Sequence, residues 1–370
     1  MNPTLIVSIF TMAIIAVVLM MKFSNNTSLK ENAILNVVLV FAALGVVFLS
    51  KAGQSLDVEI WNGEVTGKSQ ERVSCSHSYT CNCRSETTCT GSGQNRSCST
   101  STTCDTCYEH THDYNWVVHS NIGNQTIDRI DRQGVYAPPR WQSVVNGEPF
   151  AMKHLHMNYI KGASKSLFNN KDVTYDKFKN MIPTYPSDVY DYYRINRAIS
   201  VGVPVPDLQL WSSGISEILK QLGPQKQANV IIVFANTNDH DYEYALRSAW
   251  LGGKKNDVIV IVGATQYPKI DFIRVMSWTD QEIFKIKLRD ALQDLQEIDR
   301  VAMLSTIRAI TQGEFKRKQM KDFEYLDNEV DVPTWAIITG FAIIALGNLA
   351  YIFVNRSSRN SFNKKKFRYR

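Results

Sequence analysis

Three long apolar segments interrupt the alternation of hydrophobic and polar residues along this chain. They cover Pro3–Met21, Ala33–Leu49 and Thr334–Val354, and none contains a charged residue. A helix rises 1.5 Å per residue, so helices of these lengths match a hydrocarbon core of about 30 Å. Core helices rarely run so far without a charge, and the first segment lacks the basic start of a signal peptide. The pattern predicts three transmembrane helices.

The region between the second and third segments, residues 51–333, changes pattern twice along its length. Residues 51–164 alternate as strands do, and Asn62-Gly63 predicts a hairpin turn. Residues 165–205 have a helical pattern and predict a connector. Residues 206–326 alternate between amphipathic helices and apolar runs such as NVIIVFA, which predict strands covered on both faces. We therefore expect a cysteine-rich β domain and an α/β sandwich, anchored by three transmembrane helices.

Positive charge sets the expected orientation. Residues 356–370 carry seven lysines and arginines and no acid, and the short loop in residues 1–50 adds Lys22 and Lys30. The positive-inside rule places this tail and loop in the cytoplasm. With residues 327–355 as the third span, the N-terminus and residues 51–333 then lie in the periplasm, at a bacterial inner membrane.

The same tail accounts for the net charge of +6, which becomes −1 without its seven charges. The outer region therefore has no electrostatic basis for binding nucleic acid. The expected partners are the lipid bilayer and membrane or envelope proteins, and a homo-oligomer is also compatible with the sequence.

The order of elements over residues 206–326 resembles the TPM domain. The loose motifs are Tyr244-Ala245, the glycine-rich turn before Val258 and Gly313-Glu314-Phe315, followed by a transmembrane segment. The resemblance implies an α/β sandwich in a membrane-anchored protein, with phosphatase activity or calcium binding in some members. The cysteine-rich part, with EIWNGEVTG and CDTCYEHTHDYNW, looks like uncharacterised membrane proteins of large tailed phages.

A group of acidic residues follows the predicted strand at Asn229–Ala235. Its carboxylates are suited to calcium or magnesium. The candidate ligands are Asp239, Asp241, Glu243 and, from the start of a later helix, Asp280. The other interpretation is helix capping, since acids in a first turn interact favourably with the helix dipole.

All seven cysteines lie between Cys75 and Cys107, in a stretch without Val, Ile, Leu, Met or Phe and with fifteen serines and threonines. Such a segment buries too little apolar surface to fold without cross-links. One interpretation is a zinc site, and the other is disulfides, which the periplasm would favour. The zinc ligands would be Cys81, Cys83, Cys104 and Cys107, with His110 as a substitute.

Two hypotheses for function follow. The first is a non-enzymatic interaction or assembly module held at the outer face of a bacterial inner membrane and encoded by a bacterium or by a phage. The alternative is a divalent-metal-dependent phosphatase of the TPM type, using Asp239, Asp241 and Asp280.

Overall fold

The computed structural model describes residues 3–23, 29–90, 96–163 and 174–366. Its helices are α1 (Pro3–Phe23), α2 (Leu29–Gln54), α3 (Pro139–Ser143), α4 (Tyr159–Gly162), α5 (Thr174–Phe178), α6 (Leu208–Lys226), α7 (Tyr242–Ala249), α8 (Glu282–Gln293), α9 (Arg300–Glu314) and α10 (Thr334–Lys366). Its strands are β1 (Leu56–Val73), β2 (Ser78–Thr90), β3 (Ser97–Tyr108), β4 (Asp113–Ser120), β5 (Gly123–Ile127), β6 (Pro149–Met157), β7 (Val189–Tyr190), β8 (Arg194–Ile195), β9 (Ala198–Val201), β10 (Asn229–Ala235), β11 (Asp257–Gly263) and β12 (Phe272–Ser277). We call β1, β4–β12 and α3–α9 the body.

Helices α1, α2 and α10 pack together through small and β-branched residues, with Ala43 and Ile344 fully buried between them. Two helical stretches in the described part of the chain, Lys30–Gln54 and Thr334–Val354, are long and apolar enough to cross a membrane. Within the part of α1 whose side chains the structure describes, the apolar stretch is Val7–Val18. Two of the three predicted spans thus pass this test of length and composition.

A pair of asparagines links α2 to α10. Asn36 and Asn348 are buried and exchange two side-chain hydrogen bonds, of 3.1 and 3.0 Å. In an apolar environment such a pair satisfies polar groups that lipid cannot. It fixes one register of the two helices.

The first sheet of the body has the order β5-β4-β1-β6, and all of its pairs are antiparallel. Strand β1 serves both halves, since its first part pairs with β6 and its second part with β4. The hairpin turn predicted at Asn62-Gly63 is therefore wrong, because β1 runs through both residues. Glycine is needed at 63 for packing, since a Cβ there would lie 2.0 Å from Asn121 Oδ1.

The second sheet has the order β12-β11-β10-β9. Strands β9, β10 and β11 are parallel and β12 is antiparallel. Every residue of β10 and β11 is buried, because helices cover both faces. One face packs on α6, α8 and α9, and the other on α7 and the segment around Phe178. The body is thus a mixed α/β structure with several sheets, which confirms the coarse fold expected from the sequence.

The helical connector predicted for residues 165–205 is wrong in its described part. Its described elements are one short helix, α5, a 3-10 turn at Lys179–Met181 and the strands β7, β8 and β9. Part of the segment whose pattern suggested a helix forms β7 and β8, which pair as a small hairpin. Strand β9 then becomes an edge of the second sheet, where its pairing with β10 outweighs helix propensity.

Buried polar contacts join the two sheets into one unit. Arg197 is almost fully buried and donates to Asn62 on β1, and to Asn229 on β10 at 3.2 Å. Asn256 donates to the carbonyl of Ile60 at 2.7 Å. The cysteine-rich segment is therefore mounted on a framework that includes the α/β sheet.

Candidate metal centre at the base of the cysteine-rich hairpin

Strands β2 and β3 form a separate two-stranded hairpin held by three disulfides, which we call the arm. The bonds are Cys81–Cys107, Cys83–Cys104 and Cys89–Cys98. Between them, hydroxyl pairs such as Thr87 and Thr100, at 3.0 Å, bridge the strands on an exposed face. Disulfides thus take the place of an apolar core, as one of the two sequence interpretations required.

The prediction that Cys81, Cys83, Cys104 and Cys107 bind zinc is therefore wrong. The two close cysteine pairs face each other across the hairpin, so each sulfur bonds to one in the opposite strand. A sulfur in a disulfide has no thiolate to offer a metal. His110, the fifth predicted ligand, lies elsewhere, at the base of the arm.

Cys75 is the one free cysteine in the described chain, and it is buried. It lies just before the arm with His77, and His110 and Asp113 lie just after it. One ligand atom from each of the four residues lies within 4.8 Å of all the others. The Cys75 sulfur is 4.0 Å from Nδ1 of His77 and 3.8 Å from Nδ1 of His110. Antiparallel pairing of β2 with β3 brings the two ends of the segment together.

Asp113 anchors this cluster from the first position of β4 and is fully buried. Its Oδ2 accepts hydrogen bonds from the Ser76 amide at 3.1 Å and from Arg129 at 2.9 Å. Burial alone would raise the pKa of Asp113, but these hydrogen bonds outweigh it and hold the pKa well below its usual range. The carboxyl group is therefore an anion near neutral pH.

The contacts of His77 and His110 distinguish a metal site from a site with a catalytic nucleophile. In a catalytic relay, one ring nitrogen faces the nucleophile and the other faces the acid. Here Nδ1 of His110 faces both the Cys75 sulfur and Asp113 Oδ1, the latter at 3.3 Å. Nδ1 of His77 likewise faces the sulfur and Asp113 Oδ2, at 3.4 Å. Donor atoms that converge on one point suit a cation.

Three of the four hard-cation ligands predicted in the α/β sheet have cationic partners instead. Asp239 pairs with Lys177, and the hydrogen bond from that lysine lowers the pKa of Asp239. Glu243 pairs with Arg247 and lies 3.5 Å from Arg274, while Asp280 pairs with Lys318. Asp241 stands at the N-cap of α7. Among the described residues, the group at Cys75 is the one that brings three or more such ligands together.

His156, on β6, is a second buried titratable group of the body. Neither ring nitrogen has a hydrogen-bond partner among the described residues, and the side chain is 8% exposed. Burial lowers the pKa of His156 to about 4, and the positive charge of Lys255 acts in the same direction. The ring is therefore neutral in the folded protein at pH 7.

We expect His156→Phe to make the protein less sensitive to acid. A histidine whose folded pKa lies below its unfolded value stabilises above the unfolded pKa, near 6.5, and that stability is lost as pH falls towards 4. Between pH 7 and pH 4.5 the loss is about 2 kcal/mol, from 1.36 kcal/mol per pKa unit. Urea unfolding of the full-length chain in detergent at both pH values measures the difference between variant and wild type. Parallel pH profiles for the two proteins would contradict the prediction.

Compared with protein-family models, with curated proteins and with solved structures, the chain matches none of them. The site therefore rests on its own geometry. Sequence reasoning proposed His110 as a ligand but missed Cys75, His77 and Asp113 as its partners. The available signal was the spacing Cys75-x-His77 before the arm and His110-x-x-Asp113 after it, with the other six cysteines available for pairing.

Proposed function

We propose that this chain is a membrane-anchored, non-enzymatic module that presents the arm to membrane or envelope proteins at the outer face of a bacterial inner membrane. The observation that carries the proposal is the arm itself. It is a projecting, disulfide-linked hairpin with an exposed, almost wholly polar surface, attached to the body at one end. Disulfides of this density belong to oxidising compartments, of which the periplasm is one.

The positions of the apolar helices support this arrangement. Helices α2 and α10 flank the outer region, so both of its ends are held at the same membrane. With the basic residues 356–370 in the cytoplasm, the arm and the body lie outside. The first predicted span, the encoding of the protein by a phage and the TPM resemblance of residues 206–326 stay predictions within this proposal.

The geometry gives the phosphatase alternative little support. Phosphoryl transfer with a divalent ion needs carboxylates that share the metal and face the substrate. Asp239 and Asp280 instead pair with Lys177 and Lys318, on different parts of the body. An interaction role needs no such convergence.

We expect a photocrosslinking amino acid at Tyr108 of the arm to capture a partner protein in intact bacterial cells that express the full chain. Tyr108 is 58% exposed, and Tyr244, which is 49% exposed on α7 of the body, is the matched control position. An adduct from Tyr108 and none from Tyr244 supports the proposal. Alkaline phosphatase fused after Gln54 should be active, because it would lie outside the cytoplasm.

Two results would contradict the proposal. One is an inactive alkaline phosphatase fusion together with a fluorescent cytoplasmic reporter at the same position. The other is turnover of a phosphate ester by the purified chain that is abolished by Asp239→Ala.

A further inference from the structure

We propose that Cys75, His77, His110 and Asp113 bind one zinc ion in a closed, structural site that fixes the base of the arm. The inference depends on the positions of these side chains and does not rest on the proposed function. It also differs from the zinc site expected from the sequence, because three of its four ligands are new and the remaining cysteines are in disulfides.

The distances between donor atoms match the edges of a zinc tetrahedron. Bonds of about 2.3 Å to sulfur and about 2.0–2.1 Å to nitrogen and oxygen place ligand atoms about 3.6 Å apart for sulfur and nitrogen, and about 3.3 Å apart for nitrogen and oxygen. The sulfur lies 3.8 and 4.0 Å from the two Nδ1 atoms. Nδ1 of His110 lies 3.3 Å from Oδ1 of Asp113, the oxygen that would bind the ion, and the four ligand atoms lie within 4.8 Å of one another. Small side-chain movements suffice to close the site.

Asp113 supplies an independent sign of a missing partner. Its Oδ1 is buried and accepts no hydrogen bond of good geometry among the described residues, its close contact being His110 Nδ1 at 3.3 Å, whereas Oδ2 accepts hydrogen bonds from Ser76 and Arg129. Leaving a buried anionic oxygen unsatisfied is expensive, and a cation at the convergence point removes that cost. Nδ1 of His110, 3.3 Å from this oxygen, marks the direction in which the ion would lie.

The surroundings of Asp113 resemble the outer shell of a metal site. Arg129 donates to Asp113 Oδ2 at 2.9 Å and to Asn115 Oδ1 at 2.8 Å, which holds the carboxylate in place. Such outer partners orient the ligands of a metal. One thiolate and one carboxylate also balance the two positive charges of zinc.

The ligand types select the ion and its role. Calcium and magnesium prefer oxygen ligands, whereas a set of one sulfur, two imidazoles and one carboxylate suits zinc. Four protein ligands fill the tetrahedron, as in structural sites, and leave no open position for a substrate. Two ligands precede β2 and two follow β3, so the ion clamps both ends of the arm onto the start of β4.

The test is the metal content of the full-length chain, purified in detergent without chelator and measured by inductively coupled plasma mass spectrometry. We expect about one zinc per chain in the wild type, in line with one closed tetrahedral site. His110→Gln and Asp113→Asn should lose it. His112→Gln is the matched control, because His112 lies between these two residues yet bonds to Thr111 and Tyr114 instead. Arg129→Met should retain zinc with about 10–100-fold weaker affinity, as expected for an outer-shell partner.

Cobalt provides a readout on the wild-type protein itself. Addition of Co²⁺ to chelator-treated wild type should produce a thiolate-to-cobalt charge-transfer band and the visible bands of tetrahedral cobalt. The charge-transfer band should be absent in Cys75→Ser, which has no thiolate at this site. Three results would overturn the proposal. They are wild-type protein with no zinc and no cobalt spectrum, zinc retained in both His110→Gln and Asp113→Asn, and recovery of Cys75 in a disulfide between chains.

Discussion

Replacement of the six paired cysteines with serine is expected to unfold the arm while the body stays folded. The arm has no apolar core, so its disulfides supply most of its stability, about 2–4 kcal/mol each. A loss of about 3 kcal/mol corresponds to about a hundredfold rise in the open population, and proteolysis follows that population. We therefore expect trypsin to cleave after Arg84, inside β2, at least a hundredfold faster in the variant than in the wild type.

A second trypsin site in the arm provides an internal control for this experiment. Arg96 precedes β3 and is exposed, so trypsin should cut there in both proteins. In the wild type the two halves stay joined by disulfides until a reductant is added. Cys75→Ser keeps the three disulfides and should protect Arg84 as the wild type does. Equal cleavage after Arg84 in the six-serine variant and the wild type would refute the prediction.

Arg197→Met is expected to lower the free energy of unfolding of the full chain by about 3 kcal/mol, the order of cost of leaving buried acceptors without a donor. The guanidinium is buried between the two sheets and donates to Asn62, Asn229 and Ser216. Burial lowers the pKa of Arg197 to about 10, so it remains charged at pH 7. Urea unfolding followed by tryptophan fluorescence in detergent measures the loss.

A second substitution tests whether the effect comes from the contact between the sheets. In Arg197→Met/Asn62→Leu the orphaned Oδ1 of Asn62 is removed, but Ala228 O and Asn229 Oδ1 lose the Asn62 amide as a donor. We therefore expect the double variant to be destabilised by less than the sum of the two single variants. The coupling free energy of such a pair is about 0.5–3 kcal/mol. Strictly additive effects of the two substitutions would show that Arg197 acts through packing alone.

The sequence was most informative where one local pattern determines the structure. The continuous apolar run at Asn229–Ala235 predicted a strand covered on both faces, and the structure confirms it. The turn at Asn62-Gly63 failed because Asn62 takes part in contacts with residues far along the chain, such as Ala228. Turn propensity is a local property, so it does not include contacts with distant residues that form only in the tertiary fold.

The cysteine-rich segment likewise has features that the sequence predicts and features that depend on the tertiary fold. Its composition required cross-links, and disulfides were one of the two interpretations. The pairing could not be read from spacing, because it depends on the register of β2 against β3. The four residues of the candidate centre meet only because that register returns the chain to its starting point. The burial of Asp113, which makes it a candidate ligand, is visible only in the fold.

The junction of α2 and β1 has a mechanical consequence. Ser55 alone separates the end of the helix at Gln54 from the start of the strand at Leu56, and the Lys51 side chain is held by Asp327 at 3.0 Å. The arm extends about 40 Å at the usual rise per strand residue. If α2 and the body turn as one piece, a change of about 20° in helix tilt moves the tip by about 14 Å relative to the base of the arm. In the proposed arrangement, with α2 in the membrane, a change in the tilt of this helix therefore changes the position of the arm.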